Sequence, residues 1–285
     1  MLCKHPFIKG DTAFPCGQCL TCRINRRRLW THRIILEALK HEFSCFVTLT
    51  YNDENYPKDG SLVPKHLQNY LKRLREAIKP HKIRFYAVGE YGDISGRAHY
   101  HLALFGMPES SRDLIQQHWP YGFTYTGGLS IESAQYIAGY VTKKMTKKDD
   151  PRLQGRHPEF ARMSLRPYGI GAGALDEIED FLYTDIGNKL LGQTKDVPLF
   201  LTHGGKNLPL GRYLRSKLRE RLQIPNQGAA SPAALKLQEE LSAMLETSQT
   251  RSRWGKLAAY QKATKQKILN AETRHKIFSS KGKKI

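Results

Sequence analysis

The strongest constraint on the fold is an alternation of strand-like and helix-like segments between residues 44 and 144. Runs rich in β-branched and aromatic residues are typical of strands, whereas apolar residues three or four positions apart are typical of amphipathic helices. In chain order the segments are strand Ser44–Thr50, helix 64–79, strand Ile83–Glu90, strand Ala98–Phe105, helix Ser110–His118, strand Gly122–Thr126 and helix Ile131–Lys144. This order predicts an α+β fold: a ferredoxin-like (split βαβ) domain with a central antiparallel sheet and one added helix.

The flanks of this domain differ from it in composition. We expect four parts: a cysteine-rich segment with a basic helix over 1–42, the α+β domain over 43–150, an accessory region over 151–224 and a basic, mainly helical tail over 225–285. Beyond residue 150 the patterns predict a loop over Arg156–Gly173, a helix over Leu175–Leu191, a hairpin from Val197–Leu201 and Asn207–Leu210, a helix over Arg212–Leu222, a linker over Pro225–Pro232, and helices over Ala233–Thr247 and Trp254–Lys276.

The chain carries a large positive charge. Its 46 Lys and Arg against 26 Asp and Glu give a formal net charge of +20 at pH 7. Such an excess disfavours an ordinary metabolic enzyme and favours a polyanionic partner, with nucleic acid first. The residues expected to contact DNA are Arg23, Arg26, Arg27, Arg28 and Lys144.

Four of the five cysteines cluster near the start of the sequence. An odd count with tight spacing is a poor disulfide framework, whereas two successive Cys-x-x-Cys steps supply thiolates at a spacing typical of zinc sites. We expect a structural Zn²⁺ bound by Cys3, Cys16, Cys19 and Cys22. An iron–sulfur cluster and four reduced, unliganded thiols are the alternatives.

The strand Ala98–Phe105 contains two histidines separated by one residue. Because side chains alternate across a strand, His99 and His101 share one face. Glu90 ends the preceding strand across a short loop and is the expected third metal ligand, with Asp93 on the loop as a spare. Imidazole ligands favour Mn²⁺ or Zn²⁺, and Mg²⁺ is an alternative when DNA supplies further oxygens. Such a metal would polarise a phosphate oxygen as a Lewis acid.

The predicted helix after the last strand carries two tyrosines and a lysine on one stripe. Tyr136, Tyr140 and Lys143 are spaced by four and three residues, which places them on the same helix face. A free phenol has a pKa of about 10, so a nucleophilic tyrosine needs a nearby cation at neutral pH. The alternative is that the tyrosines pack in the core.

Three motifs occur in the order found in HUH rolling-circle replication initiators: Phe46–Tyr51, His99–His101 and Tyr136–Lys143. Over roughly residues 3–220 the chain resembles the two-tyrosine branch of this family. With the run Pro15–Arg23 it is similar to the replication initiation proteins of gokushovirus-like single-stranded DNA phages. Further segments that support the resemblance are Gly89–Gly92, Glu159–Ser164 and Leu210–Tyr213.

The resemblance implies a metal-dependent endonuclease that nicks one strand at a viral origin. One tyrosine forms a 5′-phosphotyrosine, a host polymerase extends the free 3′-OH, and the second tyrosine allows the product to be rejoined as a circle. Tyr140 stands where the single-tyrosine motif has its nucleophile and is expected to be the more essential. The implied metal is Mg²⁺ or Mn²⁺, and the implied partners are single-stranded origin DNA, host helicase and host polymerase.

The expected location is the cytoplasm of the bacterial host. No run approaches the ~18–20 apolar residues that span a bilayer, and the N-terminal residues lack the apolar stretch of a secretory signal. Two alternative functions are a plasmid initiator or transposase with the same chemistry, and a non-catalytic single-stranded nucleic-acid-binding protein with a zinc knuckle. The second would bind bases by stacking on aromatics and would cleave nothing with any divalent metal.

Overall fold

The computed structural model describes residues 3–9, 12–92, 95–140, 149–203, 205–225 and 252–281. The chain forms two compact units. The sheet unit comprises Arg27–Asp180 and Leu199–Lys217, and the terminal unit comprises Met1–Arg26, Phe181–Pro198 and Leu218–Ile285. The four-part division expected from composition remains a prediction.

The elements are numbered in chain order. The strands are β1 Phe7–Lys9, β2 Thr12–Phe14, β3 Ser44–Tyr51, β4 Arg84–Tyr91, β5 Ala98–Phe105, β6 Gly122–Gly128, β7 Phe160–Met163, β8 Phe200–His203 and β9 Lys206–Pro209. The helices are α1 Leu20–Ala38, α2 Pro64–Ala77, α3 Arg112–Gln117, α4 Ile131–Tyr140, α5 Leu175–Leu182, α6 Asp185–Thr194, α7 Gly211–Arg221 and α8 Arg253–Lys281.

The sheet unit is built around a five-stranded sheet in which every pairing is antiparallel. Its strand order is β6-β3-β5-β4-β7. The first four of these strands have the order of a split βαβ domain, with β3 and β5 at the centre. The α+β, ferredoxin-like fold predicted from the sequence is therefore confirmed, together with its cysteine-rich N-terminal segment.

Helices cover both faces of this sheet. Residues of β3 alternate between half-buried and buried, so the strand contributes side chains to both layers. On one face, α2 buries Leu67 and Leu71. On the other, α1 contributes Ile34 while α4 contributes Ile137 and Ala138. The site described below lies on this second face.

The fifth strand, β7, was not expected, because the sequence predicts a loop over Arg156–Gly173. It pairs with β4 from Tyr86↔Met163 to Gly89↔Phe160. A four-residue strand among Gly, Pro and Arg shows little periodicity of its own. It forms because β4 offers it an unpaired edge, which is a property of the sheet rather than of the segment.

The expected helix over Leu175–Leu191 is wrong in one respect, because it is divided into α5 and α6. Thr184 begins the second helix, and its side-chain oxygen accepts a hydrogen bond from Gly187 N at 3.2 Å. A Cβ at position 187 would lie 2.2 Å from the Phe181 carbonyl oxygen, so this turn requires glycine. The hairpin expected after it is present as β8 and β9.

The terminal unit contains the β1–β2 hairpin, which the sequence analysis missed, and the long helix α8. The Tyr260 hydroxyl on α8 accepts a hydrogen bond from Cys3 N at 3.1 Å, and Lys4 forms an ion pair with Glu272 at 3.1 Å. The expected helix over Ala233–Thr247 and most of the linker before it lie outside the described residues. Among the described helices, none combines the length and apolarity needed to cross a membrane.

Candidate functional site

Strand register places the predicted metal ligands on one face of the sheet. His99 on β5 pairs with Glu90 on β4 and with Thr50 on β3, and His101 pairs with Thr48. Directly paired residues of an antiparallel sheet point to the same face, so these five side chains form two adjacent rows.

The three ligands converge on one point. Glu90 Oε1 lies 2.7 Å from His99 Nε2 and 3.2 Å from His101 Nε2. Ligands held about 2.1 Å from a metal at right angles are about 3.0 Å apart, so this spacing fits two histidines and a carboxylate on one side of an ion. Glu90 is 2% exposed and His101 4%, whereas His99 is half-buried, which leaves the site open on one side.

Hydrogen bonds at the second nitrogen orient both imidazoles. His99 Nδ1 lies 3.0 Å from the Arg97 carbonyl oxygen, and His101 Nδ1 lies 2.9 Å from Thr48 Oγ1. A carbonyl only accepts, so His99 carries its proton on Nδ1 and turns the Nε2 lone pair toward Glu90. The sequence analysis did not single out Thr48. Its signal is its place on β3, two residues from Thr50 and therefore on the same face.

Helix α4 brings Tyr136 to the same place. Ile137 and Ala138 are fully buried against the sheet, which turns the Tyr136 side chain outward at 47% exposure. Its ring centroid lies 5.0 Å from that of His101 and 6.0 Å from that of Phe46. The helix ends at Tyr140, whose side chain lies outside the described part of the chain, as do Lys143, Lys144 and Asp93.

Two other tyrosines near the site are committed to the opposite layer. The Tyr51 and Tyr100 hydroxyls lie 2.8 Å apart, and Tyr100 also donates to the Val63 carbonyl at 3.0 Å. Burial raises the pKa of both phenols, and for Tyr51 the neighbouring Tyr100 raises it further. Neither phenol faces the ligands, so Tyr136 is the described tyrosine that the structure places beside them.

The four basic residues of α1 lie in different surroundings. Arg27 Nε donates to the Gln135 carbonyl on α4 at 2.8 Å, which holds this cation next to the Tyr136 backbone. Arg28 donates to the Asn207 carbonyl at 2.6 Å. Arg26 and Arg28 are exposed, whereas Arg23 and Arg27 are half-buried.

The four clustered cysteines form a second donor group, in the terminal unit. Sγ of Cys16 lies 4.0 Å from Cys22, and Sγ of Cys19 lies 3.9 Å from Cys3. A tetrahedral zinc site with Zn–S of about 2.3 Å has sulfurs about 3.8 Å apart, so the donor set fits Zn²⁺. All five cysteines lie in the described residues, and all are free thiols.

Local hydrogen bonds favour thiolates in this cluster. Burial alone would raise the pKa of Cys19, but hydrogen bonds from Thr21 and from the backbone amides of Lys4 and Cys22 bring it down to about 6. Cys16 N also donates to Cys3 Sγ at 3.2 Å, and Cys19 N to Cys16 Sγ at 3.3 Å. Thiolate is the form that binds metal.

Comparisons with known proteins agree with the motifs. Residues 44–149 match the family model for replication-associated proteins of the ORF2 type. The chain is 33% identical over 202 residues to Replication-associated protein ORF2 of Spiroplasma virus 4, covering 63% of this chain and 62% of the relative. It is 29% identical over 159 residues to Replication-associated protein VP4 of Bdellovibrio phage phiMH2K, covering 48% and 50%.

A third relative is Replication-associated protein ORF4 of Chlamydia phage 1, which is 30% identical over 162 residues, covering 49% of this chain and 40% of the relative. The chain thus spans 40% to 62% of the length of these relatives. No solved structure matches. The matched segment begins at the first residue of β3 and contains all three convergent ligands and α4. Residues 44–149 therefore belong to the ORF2-type family of replication-associated proteins, and the chain is a relative of the replication-associated proteins of microvirus-like single-stranded DNA phages.

Proposed function

We propose that this chain is a replication initiator endonuclease that nicks and rejoins single-stranded origin DNA through a tyrosine nucleophile. The observation that carries the proposal is the convergence of Glu90, His99 and His101 on one point beside the exposed Tyr136 ring. The names of the relatives support a role in DNA replication.

The metal site would position the scissile phosphodiester. A divalent cation, Mg²⁺ or Mn²⁺, supplies Lewis-acid polarisation of a phosphate oxygen when bound. Glu90 contributes the negative charge that retains the cation, and the two imidazoles complete one side of its ligand set. Thr48 and the Arg97 carbonyl keep the imidazoles turned toward it.

The tyrosine carries out the transfer. Its phenolic oxygen attacks phosphorus, the bond to the 3′ oxygen breaks, and the phenolic proton ends on that oxygen as a 3′-OH. The 5′-phosphotyrosine conserves the energy of the phosphodiester, so a 3′-OH can later attack it and rejoin the strand without ATP. Tyr136 and Tyr140 are the two proposed nucleophiles, Tyr140 the more essential, and Lys143 is the proposed cation that stabilises the phenolate.

The remaining roles follow from the same proposal. Arg23, Arg26, Arg27, Arg28 and Lys144 bind DNA phosphates. Helicase and polymerase come from the bacterial host, in whose cytoplasm the chain acts. The four clustered cysteines bind a structural Zn²⁺, separate from the catalytic cation.

The direct test is incubation with a labelled single-stranded origin oligonucleotide and Mg²⁺ or Mn²⁺, followed by a denaturing gel. A covalent protein–DNA adduct is expected, and His99→Ala or His101→Ala should abolish it while leaving DNA binding largely intact. Glu90→Ala should weaken it, with partial recovery at higher metal concentration. Binding with no adduct under either metal would favour a non-catalytic single-strand-binding protein.

A further inference from the structure

Two aromatic side chains on the edge strand β6 are not used by the nicking proposal. Phe123 is 67% exposed and Tyr125 is 64% exposed. Register pairs Phe123 with Thr50 and Tyr125 with Thr48, the same two rows that contain His99 and His101. Both rings therefore stand on the face of the metal site, two strands and about 10 Å from the histidines.

The Tyr125 ring is held in place rather than free on the surface. It lies over Gly127, where a Cβ would approach its Oη to 3.2 Å, and it meets the ring of Phe46 edge-on at 6.3 Å. Phe46 in turn stacks on His101 at 5.8 Å and meets Tyr136 edge-on at 6.0 Å. A continuous aromatic row thus leads from the edge strand to the proposed nucleophile.

The backbone edge of β6 is blocked at the same position. Gln116 Oε1 accepts from Thr124 N at 2.8 Å, and Gln116 Nε2 donates to the Gly122 carbonyl at 2.9 Å. A partner strand added here would have to displace these hydrogen bonds. The ring faces of Phe123 and Tyr125, not the strand edge, are what this part of the molecule offers to a partner.

The chemistry around the rings suits single-stranded DNA. Alternate residues of a strand are about 6.8 Å apart, so each ring can receive a separate base of an unstacked strand. An open cleft of about 520 Å³ adjoins Phe123 and is lined also by Arg97 and Asp53, which form an ion pair at 2.8 Å. This pair offers hydrogen-bond donors and acceptors to a base edge, and the +20 chain attracts the backbone.

We propose that Phe123 and Tyr125 form a base-stacking platform that holds two nucleotides of the DNA strand beside the scissile phosphate. The inference rests on the proposed function for its position, but it concerns binding and not the chemical step. Stacking on an aromatic side chain accepts any base, because every base has a π face. The platform would therefore position the strand whichever tyrosine attacks.

The test measures the affinity for a fluorescent single-stranded origin oligonucleotide by anisotropy, with no added Mg²⁺ or Mn²⁺. Phe123→Ala and Tyr125→Ala should each weaken binding roughly five- to a hundredfold, the range seen for loss of one stacked base. Tyr125→Phe should bind as the unmodified chain does, since it keeps the ring. The matched control is Tyr183→Ala, which removes an equally exposed tyrosine from the terminal unit.

A second arm leaves the protein unchanged. Abasic sites are placed one at a time along the oligonucleotide, and two positions should each cost affinity. In the Phe123→Ala/Tyr125→Ala double variant, abasic sites at these two positions should cost nothing further. A double variant that binds within twofold of the unmodified chain, or a chain that binds no single strand, overturns the platform.

The two proposals fail in different ways. An adduct that forms with Mg²⁺ or Mn²⁺, together with unchanged affinity in the double variant, keeps the nicking activity and overturns the platform. Loss of affinity in the double variant with no adduct from the unmodified chain under any divalent metal supports the platform and overturns nicking.

Discussion

At the scale of single residues, one hydrogen bond decides what each side chain of the site can do. The Tyr51 and Tyr100 phenols spend theirs on each other in the opposite layer, whereas the Tyr136 ring stands at the ligands. His101 is oriented by Thr48, and His99 by the Arg97 carbonyl. Substitutions that remove a single oxygen test these roles.

The first prediction concerns Thr48. Thr48→Val keeps the volume but removes the partner of His101 Nδ1, so the affinity for Mn²⁺ should fall about tenfold, the low end of effects for such outer ligands. The metal dependence of adduct formation measures this. Thr48→Ser keeps the hydroxyl and serves as the control. If the valine variant needs no more Mn²⁺ than the serine variant, the hydroxyl does not orient the ligand.

The second concerns the two tyrosines. Tyr136→Phe and Tyr140→Phe each remove one nucleophilic oxygen and keep the ring, so each single variant should retain some adduct with a short oligonucleotide. Each should still fail in a complete replication cycle, because initiation and termination need two nucleophiles in turn. Only the double variant should form no adduct. Peptide mapping that finds DNA on Tyr51, Tyr91 or Tyr100 would contradict the assignment.

At the scale of elements, helix α1 buries polar residues that tie it to distant parts of the sheet unit. Glu37 accepts hydrogen bonds from Arg84 and from Gly171 N, and His32 Nδ1 lies 2.8 Å from the Pro209 carbonyl oxygen. These contacts place the helix, and they make its stability depend on pH.

The third prediction follows from His32. Burial lowers the pKa of this imidazole to about 4, and His203, 4.9 Å away between ring centroids, lowers it further against the opposing Pro209 carbonyl. The unfolded chain therefore binds the proton more readily, so stability is full above about pH 6.5 and is lost as pH falls toward 4.

The free energy of unfolding in urea should be lower at pH 5 than at pH 7, with about 2 kcal/mol of the decrease due to His32. His32→Gln keeps a donor for the Pro209 carbonyl but does not titrate, so its decrease should be smaller by that amount. The comparison removes the contribution of His203, whose pKa is lowered by burial in the same direction. Equal decreases in both proteins would contradict the assignment.

At the scale of the whole molecule, the cysteine cluster joins two segments of the terminal unit that are far apart in sequence. Residues 3–22 supply the four thiols, and Tyr260 and Glu272 of α8 bind the backbone of Cys3 and the side chain of Lys4. A zinc ion there would stabilise the unit around these contacts.

The fourth prediction is that Cys16→Ser or Cys19→Ser costs the terminal unit more stability than it costs the nicking reaction. The loss should be at least about 2 kcal/mol, a small part of the ~10–16 kcal/mol that zinc contributes to zinc-finger peptides. Proteolysis within α8 should become faster. Cys45→Ser, outside the cluster, tests whether any cysteine change has this effect, and protein purified without chelator that contains no metal would refute the site.

The sequence by itself determined the local elements and the facing of their side chains. The strand Ala98–Phe105 has the predicted bounds, and His99 and His101 share a face because a strand repeats every two residues. The helical stripe of α4 is likewise a property of neighbouring residues. Such periodicities are set within ten residues and can be seen without knowing what packs against them.

Only the tertiary structure decided which rows and edges meet. Thr48 reaches His101 across 53 positions of sequence, and Phe123 and Tyr125 join the site's face through the pairing of β6 with β3. The strand β7 exists because β4 presents an open edge, and Tyr51 is withdrawn from the site by a hydrogen bond to Tyr100. Register and burial are fixed by contacts between distant segments, and no local pattern contains them.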